Sequence, residues 1–178
     1  MKSITNNRNI EENNKPRIDI SEEEANQRVE RSVELFMSGY NCSQSVVAAF
    51  ADLYGFTQEQ ALRMSASFGG GIGRMRMTCG AACGMFLLAG LDCGATEGFD
   101  RAGKSHNYAV VQRLAEEFKK LNGTMICAEL LGLKKPENSP EAEARTEAYY
   151  KKRPCPMMIR TGARLFADYL LGKIVLED

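Results

Sequence analysis

Six cysteines and a single histidine carry whatever metal or redox chemistry this 178-residue chain has. Thiolates are nucleophiles and soft metal ligands. With His106 alone available, mixed cysteine–histidine zinc fingers and histidine-centred hydrolases are all but excluded. A Rieske-type centre needs two histidines and is excluded outright. The sequence holds no Cys-x-x-Cys-His, which removes covalent c-type haem, and no Cys-x-x-Cys pair, which removes ribbon and ferredoxin spacings.

Four of the thiols share a local context. Cys42 follows Asn41, Cys79 follows Thr78, Cys127 lies just after Thr124, and Cys155 sits between Pro154 and Pro156. Each of these is a helix-start signal. Free N–H groups and positive potential at a helix N-terminus favour the thiolate, so lowered thiol pKa values are expected there. Arg74 and Arg76 ahead of Cys79, and Lys151, Lys152 and Arg153 ahead of Cys155, push the same way. Cys83 lies one turn beyond Cys79 on the same face. That spacing strains a disulfide but allows a shared metal, which makes Cys83 a spare ligand. Cys93 reads as a small buried hydrophobe, and that plainer role competes at each of the other positions too.

These thiols must be positioned by helices. Ser21 caps a first helix, with Ala25, Val29, Val33, Phe36 and Met37 as its apolar stripe, ended by Gly39. Asn41 opens a second, with Val46, Val47, Phe50, Leu53 and Tyr54 inward, and Gly55 stops it. Thr57 caps a third, which turns Ala61, Met64 and Phe68 to the core. After the loop Gly69-Gly70-Gly71-Ile72-Gly73, Thr78 caps a helix over 79–91 that is apolar all round and belongs at the centre of the fold. Its small residues Gly80, Ala81, Ala82 and Gly84 invite close approach. A long helix is expected over 105–121, with Tyr108, Val111, Leu114, Ala115, Phe118 and Leu121 on one face. A short helix after Thr124, a charged one over 141–152 and a last one over 156–171 complete the set. No period-2 run suggests a strand. The expected architecture is all-α, a single-domain bundle of six to eight helices over 21–178, with residues 1–20 as a polar, disordered tail.

Composition limits the partners. Lys plus Arg and Asp plus Glu are both 23, so no global field draws the chain to nucleic acid or to an anionic membrane. No apolar run approaches a membrane span, and the first twenty residues hold no signal-peptide core, so a cytoplasmic location is expected. In that reducing compartment, stable structural disulfides are disfavoured. One decoy stands out. Residues Gly98-Phe99-Asp100-Arg101-Ala102-Gly103-Lys104-Ser105 satisfy the P-loop pattern, but no buried strand precedes them and Glu97 and Asp100 would repel phosphate, so the match is read as chance. The Gly69 loop follows a helix and lacks the dinucleotide spacing.

The blocks Gly39-Tyr40-Asn41-Cys42-Ser43-Gln44, Phe68-Gly69-Gly70-Gly71-Ile72-Gly73-Arg74, Cys79-Gly80-Ala81-Ala82-Cys83-Gly84 and Cys127-Ala128-Glu129-Leu130-Leu131-Gly132, followed by Cys155, resemble the C-GCAxxG-C-C redox-active proteins. The resemblance runs from about Ala25 to Ala167 and implies that Cys42, Cys79, Cys127 and Cys155 are the family's four cysteines. Related sequence occurs in the iron–sulfur part of split-Soret cytochromes, where four cysteines hold a [2Fe–2S] cluster. Cys83 and Cys93 are additions to the family pattern.

The leading expectation is a redox or electron-transfer protein with a [2Fe–2S] cluster on Cys42, Cys79, Cys127 and Cys155. Arg74 would offset the cluster's charge, and the Gly69–Gly73 and Gly80–Gly84 backbone would approach the sulfurs. It would be an oxidoreductase or an accessory carrier, partnered by a reductase or dehydrogenase, with a second copy of the chain as a further candidate partner. A metal-free thiol–disulfide protein with Cys79 attacking is the second expectation. A helical interaction module with a structural zinc site made of four cysteines is the third.

Overall fold

The computed structural model describes residues 16–134 and 139–176. Among them are eight α-helices and no strand, which makes the fold all-α. The helices are α1 (Glu22–Met37), α2 (Cys42–Ala48), α3 (Gln58–Ser65), α4 (Gly80–Cys93), α5 (Arg101–Asn122), α6 (Cys127–Leu130), α7 (Glu147–Lys152) and α8 (Cys155–Leu170). Short 3-10 turns occupy Ala51–Tyr54 and Ala66–Phe68.

The starts follow from side-chain caps. Ser21 Oγ accepts the Glu24 N–H, and Glu22, Glu23 and Glu24 face the positive end of α1. Asn41 and Thr57 each form a reciprocal capping box, with Gln44 and Gln60. The second helix is shorter than its apolar pattern predicts: it ends at Ala48, and the chain continues through a 3-10 turn to a left-handed Gly55.

Helix α4 is the centre. It packs against α2, α5 and α8, while α1 closes the bundle against α8 and α2. Nine of its residues are buried on all sides of the helix, as its unbroken apolar composition requires. Phe50 and Phe166 meet edge-on at 5.3 Å within the same core. The small residues at the start of α4 do allow close approach. A Cβ on Gly80 would lie 2.8 Å from the Phe68 carbonyl oxygen and 3.1 Å from Cys42 Cβ, so only glycine lets α4 start against α2.

Asp92, near the other end of α4, is fully buried. Its carboxylate accepts the Arg17 N–H at 3.1 and 3.2 Å, the Tyr54 hydroxyl at 2.9 Å and the Tyr169 hydroxyl at 2.8 Å. Burial, with the Asp92 charge beside them, pushes both phenols well above their usual range. The expected tail over residues 1–20 lies mostly outside the described residues. The described part is tied to the bundle through Arg17, with Ile18 and Ile20 packed on the core.

Three expectations are corrected. The long helix begins at Arg101, one turn before position 105, because the Asp100 carboxylate accepts the Gly103 N–H and caps it there. Its buried face is Val110, Leu114 and Phe118, while Tyr108 and Leu121 are exposed. The charged helix expected over 141–152 forms only from Glu147, capped by Thr146.

Candidate functional site

Three of the four recurrent cysteines begin a helix: Cys42 starts α2, Cys127 starts α6 and Cys155 starts α8. Cys79 is the N-cap of α4, so the helix starts one residue later than expected, and Thr78 instead forms an isolated antiparallel bridge with Ile126. That bridge is what joins two distant cysteines. The Cys79 N–H donates to the Met125 carbonyl at 2.7 Å, and the Cys127 N–H donates to the Met77 carbonyl at 2.6 Å.

All four cysteines line one cavity of about 280 Å³. The Cys42 and Cys155 thiols act strongly on each other's ionisation, and the charge of each of Cys79, Cys127 and Cys155 would reach Cys42. Cys83 does not line the cavity. It is buried behind it, near Cys127, where its thiol donates weakly to the Thr78 carbonyl at 3.8 Å. Cys93 is at the opposite end of α4, where its thiol donates to the Ala89 carbonyl at 3.2 Å and accepts from Asn107 at 3.3 Å. His106 lies on α5, away from the cavity lining.

The expected fall in thiol pKa occurs at one position only. Burial pushes Cys79 up to about 12, although the amides of Ala81 and Ala82 oppose the shift. Burial also raises Cys127, against the charge and hydrogen bond of Arg76. Cys42 is raised by the Cys155 thiol, by burial and by the other thiols. Cys155 is lowered to about 7 by the Cys42 thiol, against burial and with help from Arg153 and Arg145. The reason is physical. At Cys79 and Cys127 burial outweighs the nearby amides and Arg76, and at Cys42 the Cys155 thiol adds to burial. The thiol most disposed to attack is therefore that of Cys155 rather than Cys79.

The glycine loop runs along the cavity, and part of its backbone is tied up within the turn. The amides of Gly69, Ile72 and Gly73 are spent on the Ala66, Phe68 and Ser67 carbonyls, while Gly70 and Gly71 line the cavity. Six residues between Gly70 and Arg76 have positive φ, among them Ile72, Arg74 and Arg76, a conformation that is costly for residues with a Cβ. A Cβ on Gly71 would lie 2.6 Å from Cys127 Cβ, so this glycine sets how near Cys127 comes. The turn delivers Arg74 and Arg76 to Glu143, whose Oε1 they meet at 3.1 and 3.3 Å, and Arg153 completes the group. Burial alone would raise the Glu143 carboxyl, but these arginines more than offset it and hold the group below its usual range.

Sequence reasoning missed Arg145 and Glu143, both lining the cavity. Both fall in the stretch assigned to a charged, solvated helix, and no local signal distinguishes them there. The Arg145 guanidinium lies over the rings of Phe36 and Tyr149, at 4.7 and 4.6 Å. Its Nη2 donates to the Tyr40 carbonyl at 3.2 Å, while its buried Nη1 has no hydrogen-bond partner.

Among the described residues, no three His, Cys, Asp or Glu side chains stand close enough to enclose one metal ion. The residue Lys104 of the P-loop decoy donates to the Gly98 carbonyl, and no described strand precedes it. No described helix is long and apolar enough to cross a membrane.

The family model described as "Putative redox-active protein (C_GCAxxG_C_C)" matches residues 40–169, a span that contains all four cavity cysteines. No curated protein and no solved structure matches the chain. With most of its length inside that match, the chain belongs to the C_GCAxxG_C_C family of redox-active proteins.

Proposed function

We propose that this redox-active protein is a one-electron carrier whose Cys42, Cys79, Cys127 and Cys155 hold a [2Fe–2S] cluster. The observation that carries the reading is the meeting of four sequence-distant thiols at one cavity. Such a cluster would be held by four cysteine thiolates, and Cys42, Cys79, Cys127 and Cys155 all line the cavity.

When bound, the cluster supplies a site that gains and loses one electron. The chain's own residues do the rest. The four cysteines must be held as thiolates. Burial disfavours that charge at Cys42, Cys79 and Cys127, and iron would compensate. Arg76 reaches Cys127, and Arg153 reaches Cys155, so both offset negative charge at the sulfurs. Cys83 serves as packing for α4, and Cys79 acts as ligand rather than nucleophile. A reductase or dehydrogenase would exchange the electron.

One observation favours a second reading. Cys42 and Cys155 line the same cavity, and the thiol of each strongly shifts the ionisation of the other. The Cys155 thiolate could attack an acceptor disulfide, and Cys42 would then displace the mixed disulfide. The acceptor leaves as a dithiol, having taken two electrons and two protons, and Cys42–Cys155 becomes the new disulfide.

Anaerobic purification with iron and acid-labile sulfide analysis tests the choice. The cluster reading expects two iron and two sulfide per chain, with visible absorption. Colourless, iron-free protein that resists reconstitution overturns it. Reversible loss of two thiols under mild oxidation would then support the Cys42–Cys155 pair.

A further inference from the structure

We propose that residues 139–146 form a lid over the thiol cavity, latched by the Glu143 carboxylate, and that bulky partners reach the cysteines only when this lid lifts. Three observations point there. First, the segment is an outer wall of the cavity. Pro140, Ala142 and Glu143 line the cavity and are themselves exposed to solvent. Behind them Cys79, Cys127 and Cys155 are only 5, 8 and 9% exposed. Second, the segment is fastened by side chains and not by its backbone. It is neither helix nor strand, and among the described residues no backbone hydrogen bond joins 139–145 to the bundle. An exposed segment without such bonds opens at far lower cost than a packed helix. Third, the fastening ties two elements together. Glu143 meets Arg74 at 3.1 Å and Arg76 at 3.3 Å on the turn before α4, and it also meets Arg153 just ahead of α8. Arg145 adds a second anchor on the rings of Phe36 and Tyr149. Releasing one carboxylate therefore loosens the outer wall without unfolding any helix.

The lid does not depend on the cluster reading. Delivery of iron and sulfide to the cavity and attack on an acceptor disulfide both require a way in. The test reads access to the cysteines in the reduced, metal-free full-length chain, so a protein that never carries iron still answers it.

The measurement is the rate of Cys155 alkylation by a pyrene-bearing iodoacetamide relative to iodoacetamide itself, read by mass spectrometry of the labelled peptide. Both neutral reagents consume the same thiolate, so their ratio cancels any change in thiol ionisation and reports steric access. The wild-type ratio is expected to lie well below that of a free cysteine peptide. In Glu143→Gln it should rise about tenfold, the scale of one charge-assisted hydrogen bond lost from the latch. Trypsin cleavage after Arg145 should accelerate with it. Cys93, at the far end of α4, should keep its wild-type ratio, which separates lid opening from general unfolding. Glu141→Gln, on the same segment but outside the cavity lining, should change neither reading. A wild-type ratio equal to that of the free peptide overturns the lid. So does a ratio unmoved in Glu143→Gln, one that rises equally at Cys93, or one that rises without faster cleavage after Arg145.

Discussion

Cys155 is the residue on which the redox chemistry turns. The sequence marks it by two flanking prolines, and the structure gives it a thiol partner in Cys42 and two nearby guanidinium groups. Its pKa near 7 leads to a direct expectation for metal-free protein. As pH rises from 6 to 8, the Cys155 thiolate fraction rises and iodoacetamide labelling accelerates by about tenfold or less, following one ionisation. Cys79, pushed up to about 12, stays unlabelled over the same range. Peptide mapping at each pH checks this, and equal labelling of both cysteines would contradict it. At this scale Cys42 and Cys155 were legible because they follow the Asn41 cap and Pro154. The caps expected at Thr78 and Thr124 do not form as such: Cys79 is itself the N-cap of α4 and Ile126 precedes Cys127. Arg145 was not legible, because its seat is made by Phe36, Tyr149 and Tyr40, which no local pattern connects to it.

Among the elements, the segment of positive φ between Gly70 and Arg76 and the Thr78–Ile126 bridge bring Cys79 and Cys127 together. Gly71 is the point of least tolerance. Gly71→Ala adds a Cβ 2.6 Å from Cys127 Cβ at a φ of 75°. Left-handed strain and overpacking together should destabilise the fold by about 2–4 kcal/mol. Thermal unfolding measures the loss, and a change within about 0.5 kcal/mol of wild type would refute the crowding. The helix starts were readable from Ser21, Asn41 and Thr57, whose caps form as their side chains predict. The early start of α5 was hidden because Asp100 lies inside a phosphate-loop decoy, where its cap was mistaken for a repulsive charge. The first half of the expected 141–152 helix fails for another reason: Glu143 and Arg145 are held by distant partners, which outweighs local helix propensity.

For the whole molecule, one central apolar helix serves two ends. The start of α4 faces the thiol cavity, and its far end carries Asp92 with Tyr54, Tyr169 and the Arg17 amide. The all-α architecture was legible because helical periodicity and caps recur along the chain and no alternation competes with them. That the four cysteine-bearing helix starts would converge was expected from their shared context and the family resemblance; the glycine contacts between α2, α4 and the loop before α4 that permit it were not. The account therefore stands on a division among six cysteines: four act at one centre and two do not. Iron and sulfide content in six single Cys→Ala variants, purified without oxygen, measures that division directly. Losing Cys42, Cys79, Cys127 or Cys155 should each abolish stable cluster loading, while the variants at Cys83 and Cys93 should keep two iron and two sulfide per chain. Full loading in any of the first four, or its loss in either of the last two, would contradict the account.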